Sequence, residues 1–181
     1  MDIRRIIGYM GKVIKIRKGT WETNSSSTHA LVIKKEKPTE IPYFVHFGLD
    51  EFGWEHEKYN WEQVKCDYLH TVIFDMFYNR DKHDDYINYK KKITKILKSY
   101  GVSKITWERP KKSTYAYVDH VYECEEWLNT ILENPDYLIS WLFNDDSWLV
   151  TDNDNDDMLY HNFARDKWDN KEDYYFYEKG N

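Results

Sequence analysis

The stretch Glu22-Thr23-Asn24-Ser25-Ser26-Ser27-Thr28-His29 packs a carboxylate, an amide, several hydroxyls and an imidazole into one short run. Hydroxyls and backbone N–H groups can cradle a phosphate. An imidazole serves as a general acid or base near neutral pH, and a neighbouring carboxylate orients or ionises it. His29 is therefore the acid–base candidate, with Glu22 as its partner. Ser26 is a candidate nucleophile if the ring comes within hydrogen-bond reach. Asn24, Ser25, Ser27 and Thr28 are candidate phosphate donors, and Lys15, Arg17 and Lys18 upstream can hold a nucleic-acid backbone. The same residues also suit a self-satisfied loop, in which Ser and Asn side chains bond their own backbone.

Other clusters carry weaker chemistry. Cys66 and His70 are four apart on one helix, and His120 and Cys124 repeat that spacing at the start of another. Brought together they would make a Cys2His2 zinc set, although neither pair has a zinc-finger spacing. Two buried thiols and two partly exposed imidazoles are the plainer reading. Asp152-Asn153-Asp154-Asn155-Asp156-Asp157 invites calcium, but an EF-hand loop needs Gly at its sixth position and Glu at its twelfth. Those positions are Asp157 and Phe163, so a solvated acidic turn is expected. No cofactor is specified; a divalent metal at Glu22 is compatible with the motif. No Walker A loop, dinucleotide fingerprint, HExxH or Gly-x-Ser-x-Gly is present.

The elements that must position these groups follow from periodicity. Val13 to Arg17 alternates apolar and basic residues, as a half-buried strand does. Thr28 to Lys35 reads as a second strand, and the turn-rich residues 18–27 join the two. Residues 38–59 look irregular, with a short strand at Tyr43–His46. Asn60 can cap a first helix whose apolar stripe is Val64, Tyr68, Val72 and Met76. A second helix carries Tyr86, Tyr89, Ile93, Ile96, Leu97 and Tyr100 and ends at Gly101. Val102–Glu108 and Ser113–Asp119 read as a strand pair turning through residues 109–112. A third helix holds Trp127, Leu128, Ile131 and Leu132, and Asn134-Pro135 opens a fourth that runs to Phe143. Trp148–Thr151 and Leu159–Phe163 flank the acidic turn as a hairpin. The sum is an α+β fold, a mostly antiparallel sheet with three to four helices, as a single domain over residues 1–181.

The net charge of −6 is unevenly spread: residues 1–35 carry +6 and residues 145–181 carry −7. Either the two ends attract each other within the fold, or a basic face meets phosphates and an acidic face meets a basic protein. No apolar run approaches the roughly 18 residues of a membrane span. Two Cys make no disulfide framework, so a cytoplasmic setting is expected.

The octet at Glu22–His29 resembles a motif of small proteins of Gram-positive bacteria and their phages. Those proteins typically begin with a short basic strand, then Gly, an aromatic residue and Glu-Thr-Asn-Ser-Ser-Ser-Thr-His-Ser. Here Ile14-Lys15-Ile16-Arg17-Lys18-Gly19 and Trp21 precede the motif, and Ala30 stands where Ser is usual. Met10 begins a chain of the usual shape, which makes residues 1–9 a flexible N-terminal extension. The resemblance spans about twenty residues and implies a mobile-element setting, in which small proteins counter host defence. It is similar in that respect to anti-CRISPR proteins directed at Cas9. The function expected on this basis is a counter-defence protein acting on nucleic acid or a nucleoprotein, by guide RNA cleavage as a ribonuclease or phosphodiesterase. An acidic, non-enzymatic nucleic-acid mimic is the alternative, with Asp154, Asp156 and Asp157 entering a basic groove of a host protein such as Cas9. A nucleotide-binding phage protein is the third.

Overall fold

The computed structural model describes residues 27–53, 55–111, 113–153 and 172–179. The expected strands at Val13–Arg17 and Leu159–Phe163, and residues 1–9, lie outside the described residues.

The fold is α+β, and its main sheet is antiparallel. β1 (Ser27–Lys34) is one of its two inner strands. Ala30, Leu31, Val32 and Ile33 are all buried, so both faces of β1 are covered, which explains an apolar run that does not alternate. β7 (Trp148–Asn153) and β8 (Tyr174–Lys179) pair on either side of it, and β4 (Glu57–Tyr59) adds to β7, giving the order β4-β7-β1-β8. Leu31 faces Leu149 in register, and both enter the main core.

β2 (Phe44–Phe47) pairs in parallel with β5 (Lys104–Trp107), and β3 (Glu51–Phe52) pairs in parallel with β6 (Tyr117–Val118). This corrects the expected hairpin between Val102–Glu108 and Ser113–Asp119. Each strand instead extends a separate partner from the irregular 38–59 region. The reason lies in α1 (Glu62–Phe77), which binds that region with its polar side chains. Asp67 Oδ1 accepts from Gly48 N at 2.6 Å, and Asp75 Oδ2 accepts from Val118 N at 3.1 Å.

α1 is buried nearly all round rather than along one stripe, the pattern of a helix enclosed by other elements. Trp61, not Asn60, holds its N-cap position; Asn60 Nδ2 instead donates to the Asp145 carbonyl at 3.2 Å. A 3-10 turn at Tyr78–Arg80 leads to α2 (His83–Ser99), which is amphipathic as expected: Tyr86, Ile93, Ile96 and Leu97 are buried. A second 3-10 turn (Val121–Cys124) precedes α3 (Glu125–Glu133), and Pro135 opens α4 (Pro135–Phe143). A single apolar cluster joins α1, α3 and α4 to Leu31, Ile33 and Leu149 of the sheet.

Gly101 ends α2 at φ +104°, with open space where a Cβ would stand. Its substitution therefore tests backbone strain without a clash. Gly101→Ala is expected to lower unfolding free energy by about 1–2 kcal/mol, read by urea denaturation. An unchanged midpoint would remove the conformational argument.

Candidate functional site

The pleat of β1 divides the sequence motif. Ser27, His29, Leu31 and Ile33 share the face toward the helices, and Thr28, Ala30 and Val32 share the other. On the inner face His29 is 1% exposed. Its Nε2 lies 2.7 Å from the Gly53 carbonyl oxygen and its Nδ1 2.9 Å from Tyr68 Oη. A carbonyl only accepts, so Nε2–H donates to it. Nδ1 of the neutral ring then accepts from the Tyr68 hydroxyl. Tyr68 Oη in turn sits 3.8 Å from Cys124 Sγ, whose S–H is the remaining donor. Burial pushes the Tyr68 phenol well above its usual pKa, which keeps it a donor. Both His29 nitrogens are thus spent on the fold. This chain ties β1 to α1, to the loop at Gly53 and to the turn before α3. An acid–base role needs a nitrogen that reaches substrate. His29 offers none, because its strand register points it into the core.

Ser27 is also buried inward, with Oγ 3.4 Å from the Asp119 carbonyl. Glu22, Asn24, Ser25 and Ser26 lie outside the described residues, as do Lys15, Arg17 and Lys18. So do Asp154, Asp156 and Asp157.

The outer face carries different chemistry. Thr28 is opposite Asp152 in the β1–β7 ladder. The β4–β7 register, Glu57 opposite Thr151, places His56 opposite Asp152 one step further on. Thr28, Asp152 and His56 therefore form one cross-strand row. Asp152 is 2% exposed, while the His56 side chain keeps 31% of its surface. His56 Nδ1 is 3.1 Å from Asp152 Oδ2. Thr151 Oγ1 donates to the Glu55 carbonyl at 2.6 Å and fixes the residue next to His56. A buried carboxylate thus holds one nitrogen of a solvent-facing imidazole. That sets the tautomer with the proton on Nδ1 and leaves Nε2 as a proton acceptor. Among the described residues Nε2 of His56 has no hydrogen-bond partner.

Neither His56 nor the role of Asp152 stands out in the sequence. Asp152 reads as the first residue of an acidic turn, and His56 sits unremarked among Glu55 and Glu57. The available signal is that Asp152 directly continues the strand Trp148–Thr151, where a carboxylate on the pleat is unusual.

Of the two Cys–His pairs, both thiols are buried and His120 is partly exposed, as the plainer reading expects, but His70 is not exposed at all. His70 is fully buried, with Nδ1 against the carbonyls of Phe47 (3.0 Å) and Gly48 (2.8 Å) and Nε2 2.7 Å from Tyr86 Oη. Burial lowers its pKa to about 3. It splices β2 to α1 and α2. Burial raises the Cys66 thiol well above its usual range. Cys124 is engaged by Tyr68. His120 is held by Glu123, Nδ1 to Oε1 at 3.4 Å. Among the described residues no group of three or more His, Cys, Asp or Glu side chains could hold a metal, and both cysteines are buried thiols.

Lys65 is a further buried charge, 1% exposed, that periodicity alone does not reveal. Its Nζ donates to the Asn144 (3.2 Å) and Ser147 (3.1 Å) carbonyls and so pins the turn between α4 and β7. Burial lowers its pKa to about 8, against partial compensation from Asp145 and Glu62.

No family model, curated protein or solved structure matches the chain. Among the described residues no helix is long and apolar enough to cross a membrane.

Two predictions follow from these buried groups. Tyr68→Phe and His29→Phe each remove a partner from the inner chain and should each cost about 1–3 kcal/mol. Because they share one hydrogen bond, the double variant should fall short of additivity by about 0.5–3 kcal/mol in a denaturation cycle. Strict additivity would mean that the bond couples nothing. For Lys65 the folded pKa is depressed, so the unfolded chain binds the proton more tightly between pH 8 and 10.5. Stability from this group therefore rises with pH across that window. Relative to Lys65→Met, the wild type should gain about 2–3 kcal/mol between pH 8 and pH 10. A flat difference would show that Lys65 keeps its ordinary affinity for the proton.

Proposed function

We propose that this protein is a counter-defence-type enzyme that cleaves RNA by acid–base chemistry centred on His56 and Asp152. The observation that supports it is the partly exposed His56 ring, oriented through Nδ1 by the buried Asp152 carboxylate at 3.1 Å. This pair lies in the row of Thr28, at the end of β1 where the Glu22–His29 motif enters the sheet. The resemblance of that motif to small proteins of Gram-positive bacteria and their phages supplies the setting. In this reading His29 is a positioning residue, and Asn24 and Ser25 remain the phosphate-side candidates.

The step is a transesterification. His56 Nε2 takes the proton of a ribose 2′-hydroxyl, and the 2′-oxygen forms a bond to the adjacent phosphorus. The bond from phosphorus to the 5′-oxygen breaks, and that oxygen leaves with a proton from water. Asp152 stabilises the imidazolium formed in the process. The products are a 2′,3′-cyclic phosphate and a 5′-hydroxyl, and DNA of the same sequence is inert because it lacks the nucleophile.

The test is incubation of labelled guide RNA, free and bound to Cas9, followed by gel analysis of products. Wild type should yield cyclic-phosphate ends. His56→Gln should lose at least about 100-fold in rate, and Asp152→Asn a comparable factor by misorienting the ring. Intact RNA in every lane, or full activity in His56→Gln, would overturn the proposal.

A further inference from the structure

We infer that the exposed face of α2, with Trp107 of β5, is a binding surface for single-stranded nucleic acid, separate from the His56–Asp152 pair. The surface is a cleft of about 560 Å³ with a floor of Ile87 and Trp107. Lys90, Lys91, Lys95 and Lys98 rim it.

Within the fold Lys90 Nζ donates to the Tyr86 hydroxyl at 3.4 Å, and Lys98 stands in the last turn of α2, where the helix dipole favours a cation. From Tyr86 to Ser99 the chain has five lysines and no acid; the only helix acids, Asp84 and Asp85, are in the first turn. Among the described residues none of the four rim lysines forms an ion pair. Lys91 and Lys95 are four apart, a like-charge spacing that weakens a helix. The apolar face of α2 is already satisfied on the opposite side by Ile93, Ile96 and Leu97. The rim is therefore a concentration of uncompensated positive charge beside an apolar floor. An external polyanion would relieve the repulsion.

The floor is rigid. The Trp107 ring stacks on Phe47 at 4.0 Å between centroids, and Lys90 Nζ lies 4.9 Å from its centre. Trp107 Nε1 donates to Thr94 Oγ1 at 3.2 Å. An apolar floor rimmed by lysines suits bases that lie against it while phosphates meet the charges. At 1.5 Å rise per residue, Lys91 to Lys98 runs roughly 10 Å along the helix, the reach of several successive phosphates. A duplex hides its base faces and would leave the apolar floor unused. An acidic peptide would gain little from each solvent-exposed carboxylate–lysine pair. Closely spaced phosphates release condensed counterions and gain more. Lysines lack the bidentate fork that reads base edges, so binding should be indifferent to sequence.

The test is fluorescence anisotropy with a fluorescein-labelled 20-nucleotide poly(U) RNA and the matching poly(dT), with poly-Glu peptide as competitor. The readout is binding without turnover, so it does not depend on the cleavage chemistry at His56. Wild type should bind both strands, with a log–log salt slope of about −3 for four lysines. Lys91→Glu combined with Lys95→Glu, both exposed, should weaken binding at least tenfold, with an unchanged circular dichroism melt. Lys91→Gln with Lys95→Gln should lower the slope by about 1.4. Binding that survives the charge reversal, no binding at low salt, or equal displacement by poly-Glu would each overturn the inference.

Discussion

The hydroxyl of Tyr68 is the point on which the rest of this structure turns. It is fully buried, bonded to His29 of β1 and in contact with Cys124 before α3. Its ring packs edge-on against Phe52 at 4.9 Å and stacks near Trp127 at 5.9 Å. One side chain thus fixes the depth of α1 against the sheet and the approach of the segment leading into α3. Polar groups in such a core are costly unless every partner is present. That demand explains why His29 finds Gly53 on its far side. It also anchors Gly53, three residues before His56.

The separation of His29 from His56 follows from the pleat. Neighbouring strand residues face opposite ways, so a motif written as one continuous string is used twice. Its inward members build the fold, and its outward member Thr28 joins the row that contains the exposed imidazole. A one-residue slip of β1 would exchange these roles and bury the wrong set. The Leu31–Leu149 pairing resists that slip, because Leu31 and Ile33 would leave the core together with His29.

Much of the fold was legible because it rests on local rules. The β1 run, the α2 stripe with its terminal Gly101, and Asn134-Pro135 before α4 are all short-range signals, and each element forms where those signals stand. The pairing of β5 and β6 was not legible. Two short strands joined by a polar turn resemble a hairpin, and what separates them is Asp67 and Asp75 on a distant helix. The same limit applied to the candidate site. His29 attracted notice through its neighbours in sequence, whereas its chemistry depends on which face of the strand it occupies. His56 and Asp152 are 96 residues apart, and no spacing rule connects them.

A net charge of −6 opposes a polyanion at long range, and the resolution is one of range. Screening at physiological salt confines each exposed charge to about 8 Å. From Tyr86 to Ser99 the helix carries five lysines and no acid, so a strand lying along it meets an attractive local field whatever the chain total. The chain total sets the long-range potential, which governs how fast a polyanion arrives more than how tightly it stays. Association should therefore be slow for such a basic surface at low salt, where the net negative field reaches furthest. Added salt screens that long-range field before it screens contacts at the surface. A net charge that argues against nucleic-acid binding at the level of composition is thus compatible with it at the level of a single cleft.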